Sequence, residues 1–170
     1  AEVSGNLDNC LADAGYAGDG TNVAACVAGK FKATASSAAA CTDCVSGKYK
    51  NNLAQTSNTC IGCPVNSDSP AASDEENDCM GVAGYTGQGL GVAACATGTF
   101  KAAVLSAAAC NTCPANSGSP AGSDAVDDCS CSAGWSGPNG GPCVKECGSG
   151  LKRSGATCVD CEAGTFKTES

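Results

Sequence analysis

Apolar and polar positions along this chain hold neither a helical nor a strand period for more than a few residues. Most apolar positions are Ala or Cys, and the large side chains come singly: Tyr16, Phe31, Tyr49, Tyr85, Phe100, Trp135 and Phe166 are the only aromatics. Between them, Gly and Asn cluster in GDGTN (18–22), GQGLG (87–91) and GPNGG (137–141), which favours turns with positive φ. The stretches of four to six residues that remain suit short hairpin strands. The Ala runs ASSAAAC (35–41) and VLSAAAC (104–110) each have room for a helical turn, yet isolated helix is marginal at that length. The pattern therefore predicts small disulfide-rich repeats, an elongated ladder of short β-hairpins and irregular loops with little helix.

The same pattern recurs. The stretch Cys10–Cys44 matches Cys79–Cys113, and CPVNSDSPAASDEENDC from Cys63 matches CPANSGSPAGSDAVDDC from Cys113. Self-similarity of this kind is the signature of stacked supersecondary units. It divides the chain into a first repeat at 1–78 with an extra unit at 44–60, a second at 79–129, and a closing segment at 130–170. That segment holds a short Cys131–Cys143 loop and a third repeat that stops at CEAGTFKTES.

Two motifs hold every aromatic. Ala-Gly-aromatic-x-Gly contains Tyr16, Tyr85 and Trp135, and Gly-x-aromatic-Lys contains Phe31, Tyr49, Phe100 and Phe166, with Leu151 in a shortened version. One aromatic per rung is expected to pack on the neighbouring disulfide as a miniature core, because a small scaffold needs its few large side chains inside; a ligand-stacking platform is the alternative. The Lys that follows, at Lys32, Lys50, Lys101 and Lys167, is expected to lie along the rung with its charge in water, or to meet a partner.

Composition explains why covalent help is needed. Sixteen of 170 residues are Cys, none is His, and Ala buries too little area to offset the backbone entropy of about 1–2 kcal/mol per residue lost on folding. That many cysteines with so few large apolar residues is the make-up of an extracellular disulfide scaffold. A net charge of −8 with nine Lys and Arg excludes a phosphate-binding face, so no nucleic acid partner is expected. No run approaches the roughly 20 apolar residues of a membrane span, so no membrane insertion is expected within the chain. Nor does the start AEVSGNLDNC have the basic-then-apolar pattern of a signal peptide, which suggests a chain already processed or cut from a longer one.

Long and short gaps between successive cysteines nearly alternate, and the simplest scheme closes each long gap and leaves each short one as a hinge. It pairs Cys26 with Cys41, Cys44 with Cys60, Cys63 with Cys79, Cys95 with Cys110, Cys113 with Cys129, Cys131 with Cys143, and Cys147 with Cys158. Cys10 and Cys161 are left over as candidates for a bridge between subunits or between repeats. Spacing alone does not determine connectivity, and interleaved pairings stay open.

The same residues admit rival chemistry. Cys41, Cys44, Cys60 and Cys63 have the C-x2-C-x15-C-x2-C spacing of a four-thiolate zinc site, but the second copy changes that spacing. The acidic runs 74–78 and 124–128 read as solvated loops, with calcium as the minor alternative. No His base and no G-x-S-x-G exist, and the C-x-x-C pairs lack basic neighbours, so neither an enzyme nor a resident cofactor is expected. Asn-x-Ser/Thr is absent; Asn58, Asn77 and Asn111 carry only the rare Asn-x-Cys form. Ser67, Ser69, Ser117 and Ser119 are candidate O-linked glycan sites and Pro70 and Pro120 candidate hydroxyprolines.

The units C-x-x-G-x-[FY]-K…C-x-x-C-P-x-N-S-x-S-P-A-x-S…D-C, followed by CSAGWSGPNGGPC, resemble ephrin-receptor-like cysteine-rich repeats, relatives of tumour-necrosis-factor-receptor modules. The Cys131–Cys143 loop resembles the closing loop of an EGF module. The Ala, Gly and Ser filler is similar to that of flagellar-hair (mastigoneme) and surface-coat proteins of protists. The resemblance implies an extracellular structural protein whose partners are itself or adjacent repeats of one assembly, with glycans attached. A receptor or adhesion ectodomain binding another protein is the alternative, although no exposed hot-spot patch is visible beyond the rung motifs.

Overall fold

The computed structural model describes residues 10–155, 157–163 and 165. Every rung is built from one turn. In Val27–Lys30 the Lys30 N–H donates to the Val27 carbonyl at 3.2 Å, and Gly29 at φ +79° occupies the third position, where a type II turn demands positive φ. The first unit repeats it at Asp13–Tyr16 and Pro64–Ser67, the second at Ala96–Thr99, Pro114–Ser117 and Ser132–Trp135. Where Gly is missing from the third position, Asn66 (φ +63°) and Asn116 (φ +62°) replace it, the side chain that best tolerates this region.

Each turn delivers a strand of two residues. Lys30–Phe31 pairs antiparallel with Thr42–Asp43, and Lys48–Tyr49 with Ile61–Gly62. The returning strand in each case is the pair of residues inside a C-x-x-C. Those short gaps, expected as hinges, are thus the second strands of the hairpins. The strands are shorter than expected: each returning strand is confined between the two half-cystines of its C-x-x-C. Only the last hairpin, Leu151–Ser154 with Thr157–Asp160, reaches four residues. Among the described residues no α-helix forms, and short 3-10 turns occur at Glu76–Asp78, Gly89–Gly91 and Val126–Asp128. The Ala runs do not coil into helix either; each bends at a residue of positive φ, Ser36 in the first and Leu105 in the second.

The chain folds as two compact units, residues 1–93 with 103–109, and residues 94–102 with 110–170. They are packing groups and do not coincide with the sequence copies. In the first, Tyr16–Ala17 pairs with Ala24–Ala25 and Ser67–Asp68 with Met80–Gly81, besides the two pairs above. In the second, Thr99–Phe100 pairs with Asn111–Thr112, Ser117–Gly118 with Ser130–Cys131, and Trp135–Ser136 with Val144–Lys145. No helix is long and apolar enough to cross a membrane among the described residues.

Successive rungs are bonded backbone to backbone in a fixed pattern. In the first unit Gly15 N donates to Lys32 O, Gly29 N to Lys50 O and Gly47 N to Ser69 O, at 2.7 to 2.9 Å. The second unit repeats it with Gly98 N to Ser119 O at 2.8 Å. A return bond runs from Ala54 N to Cys26 O and from Ala72 N to Cys44 O, and in the second unit from Gly122 N to Cys95 O. The backbone, and not an apolar layer, therefore holds neighbouring rungs in register.

Candidate functional site: the rung interior and its sulfurs

Seven disulfides form among the described residues: Cys26–Cys41, Cys44–Cys60, Cys63–Cys79, Cys95–Cys110, Cys113–Cys129, Cys131–Cys143 and Cys147–Cys158. Their Cα–Cα distances of 5.5 to 5.9 Å suit unforced bridges. One sulfur of each is interior: Cys26, Cys44, Cys79, Cys95, Cys129, Cys143 and Cys147 are buried. Cys41, Cys44, Cys60 and Cys63, which have zinc-site spacing, are divided among three different bridges. Cys10 and Cys161 carry free thiols, the first exposed and the second half-buried.

The rung interior differs from expectation. Among the described aromatics Tyr49 alone is buried; Phe31, Tyr85, Phe100, Trp135 and also Leu151 are half-buried, and Tyr16 is exposed. What fills the rung is the Lys expected to reach water. Lys32, Lys50 and Lys101 are 3, 3 and 2% exposed. Lys32 Nζ donates to the carbonyls of Tyr16 at 2.6 Å and Ala12 at 3.3 Å and also to that of Ser37, while Lys50 Nζ donates to the Ser57 carbonyl and to Thr59 Oγ1. Carbonyls from the loop itself and from the neighbouring rung meet at this point in place of water. An ammonium, with three donors, satisfies them. For Lys101, loss of water on burial lowers the pKa from 10.5. Lys167 and Phe166 lie outside the described residues.

Counting from each turn, the residue at the Lys position is Ser69 or Ser119 in the two Pro-Ala/Val-Asn-Ser rungs, and Gly18, Gly87 or Gly137 in the rungs headed by Ala-Gly-aromatic. Ser69 is fully buried and its hydroxyl donates to Lys48 O at 3.2 Å; Ser119 is 8% exposed and donates to Thr99 O at 2.9 Å. Both hydroxyls of these candidate glycan sites are interior posts of the rung. Ser67 and Ser117 are half-buried and donate to Pro64 O and Pro114 O at 2.7 Å. Pro70 and Pro120 are exposed, as are Asn58, Asn77 and Asn111.

The acidic runs are more than solvated loops. Asp78 Oδ2 accepts the N–H groups of Asp74 and Glu75, and Asp128 Oδ2 those of Asp124 and Ala125, closing equivalent turns just before Cys79 and Cys129. The signal was the shared Asp-Cys ending of both copies. Among the described residues no three or more Cys, Asp or Glu side chains converge as a metal ion requires.

The arrangement is a disulfide-rich ladder of small hairpins, with cysteines and lysines inside. No family model matches the chain, and no curated protein matches it significantly.

Proposed function

We propose that this chain is an extracellular structural repeat protein that forms or decorates a filament or surface coat, its units joining head to tail. The observation that carries this reading is the constant bonding between neighbouring rungs: the positive-φ residue of one donates to the interior-post carbonyl of the next, in both units. A molecule made of one repeated contact is suited to extension by further rungs of the same kind. Seven disulfides favour an oxidising compartment. The likeness of the rung motifs to ephrin-receptor-like repeats and to mastigoneme and surface-coat proteins agrees with the same role.

Negative-stain imaging of the purified, unreduced protein tests it. Ordered filaments or coated surfaces are the expected result. Dispersed monomers that bind an unrelated protein would overturn the reading in favour of a receptor or adhesion module.

A further inference from the structure

We propose that Asn111 is the acceptor of an N-linked glycan and that Asn58, set in the same tripeptide, is passed over, because their cysteines stand at opposite ends of their bridges. This site rests on the extracellular reading above.

The two tripeptides are Asn58-Thr59-Cys60 and Asn111-Thr112-Cys113. Glycan attachment at such a site requires the third residue to present an O–H or S–H donor, which a cysteine has only as a thiol. A half-cystine has lost it. Cys60 closes its bridge: its partner Cys44 precedes it by 16 residues and is already in place when Cys60 is made. Cys113 opens its bridge, and its partner Cys129 follows 16 residues later. At about 5–20 residues per second, synthesis leaves Cys113 without that partner for roughly 1–3 s, an interval Cys60 does not have. Asn77-Asp78-Cys79 falls with Asn58, since Cys79 closes on the earlier Cys63.

The folded surroundings separate the sites in the same sense. Lys50 Nζ donates to Ser57 O and to Thr59 Oγ1, so both neighbours of Asn58 are held on the ammonium inside the rung. Asp78, beside Asn77, has its carboxylate committed to the N–H groups of Asp74 and Glu75. Asn111 instead lies in the short strand Asn111–Thr112, exposed, directly opposite the half-buried Phe100. Residues opposed in this way share a face with Cβ atoms about 4.5–5.5 Å apart, so the first sugar on Asn111 has the uncovered part of the Phe100 ring within reach. Thr42 opposite Phe31 and Ile61 opposite Tyr49 occupy the same place in other rungs. Of these three positions, Asn111 alone carries an amide.

The donor is an oligosaccharide joined through its C1 to a lipid diphosphate. The Asn111 amide nitrogen attacks C1; the N–C1 bond forms, the C1–O bond breaks, the lipid diphosphate leaves with the bonding pair, and the amide gives up one proton to a base of the transferase. No electrons change hands, and the Cys113 thiol is unconsumed and bridges to Cys129 afterwards.

The test translates the full chain, behind a secretory leader, into microsomes. Peptide N-glycosidase in heavy-oxygen water then converts each occupied Asn into labelled Asp, which mass spectrometry locates. Occupancy at Asn111 is expected to exceed that at Asn58 several-fold. Cys60→Thr, which supplies a donor that no bridge removes, raises Asn58 at least to the level of Asn111, and Cys113→Ala abolishes the label at Asn111. Transfer precedes folding, so variants that fold poorly still report. Equal occupancy of Asn58 and Asn111 in the unaltered chain, an Asn58 that stays bare in Cys60→Thr, or a label that persists in Cys113→Ala would each overturn the assignment. A bare Asn111 in a chain whose seven bridges have formed would overturn this site and leave the extracellular reading standing; a chain that keeps its thiols free in the microsomal lumen would overturn that reading itself.

Discussion

The Lys32 ammonium donates to the carbonyl of Tyr16 at 2.6 Å, so the side chain of one rung is a bolt through the backbone of the rung before it. The same ammonium reaches the Ala12 and Ser37 carbonyls, tying that earlier rung to the Ala-rich loop. A cation in a rung interior is stable because backbone oxygens replace its water, and removing it deletes these charge-assisted bonds.

Lys50→Met keeps the length and apolar stem of the side chain and deletes the donors to Ser57 O and Thr59 Oγ1. A hydrogen bond to a charged group is worth about 1.5–3 kcal/mol. Guanidinium denaturation with bridges intact is expected to show a loss of about 2 kcal/mol. Lys50→Arg is not expected to restore it, because a planar guanidinium does not fit a site built for a compact ammonium. An unchanged midpoint in Lys50→Met would refute the role of the ammonium.

Stability should depend on Lys101 in alkaline solution. Burial lowers its folded-state pKa below 10.5, so between that lowered value and 10.5 the unfolded chain binds more protons than the folded one. Stability from this group therefore rises with pH across that window, whereas below it the charged ammonium imposes a constant penalty. Urea midpoints followed upward in pH, with bridge integrity checked at each point, should rise more in the wild type than in Lys101→Met. Parallel curves would contradict the assignment.

Gly29 and Ala72 meet across a rung boundary. Gly29 has φ +79°, and a Cβ there would run into the Ala72 carbonyl. Gly29→Ala therefore combines backbone strain with a collision, and a loss of at least about 2 kcal/mol is expected. Ala72 itself sits at φ +63°, where the second unit has Gly122 at φ +77°. Ala72→Gly should be neutral or stabilising by up to about 1 kcal/mol, relieving αL strain against a small entropic cost. Thermal unfolding of the two variants checks the opposite signs.

Removal of one bridge should act locally. Cys44→Ser with Cys60→Ser opens a loop of sequence separation 16, worth about 3 kcal/mol in the chain-entropy model. Because rungs bond mainly to neighbours, amide exchange is expected to accelerate in 44–60 and the rungs bonded to it, and to stay unchanged around Cys147–Cys158. A uniform rise across the chain would mean that the fold is cooperative throughout.

Much of this fold is legible in the residues alone, because its determinants are local. Gly29 and Gly47, and Asn66 in their place, announce turns that need positive φ, and loops of nearly constant length announce which cysteines lie near each other. The bridge Cys26–Cys41 agrees with such short-range constraints, although spacing alone left interleaved pairings open. The direction of a long side chain does not. Whether Lys32 turns outward or inward depends on the carbonyls of Tyr16, Ala12 and Ser37, which only the stacking of rungs brings to one point. Ser69 reads as an exposed Ser-Pro residue for the same reason, and its burial against Lys48 O exists only once the rung before it is in place. Sequence by itself thus determined the turns and the repeat and narrowed the bridges, whose connectivity the structure supplies. Tertiary structure decided what lies inside each rung, because there the backbone's inward-facing oxygens, and not apolar area, select the side chain.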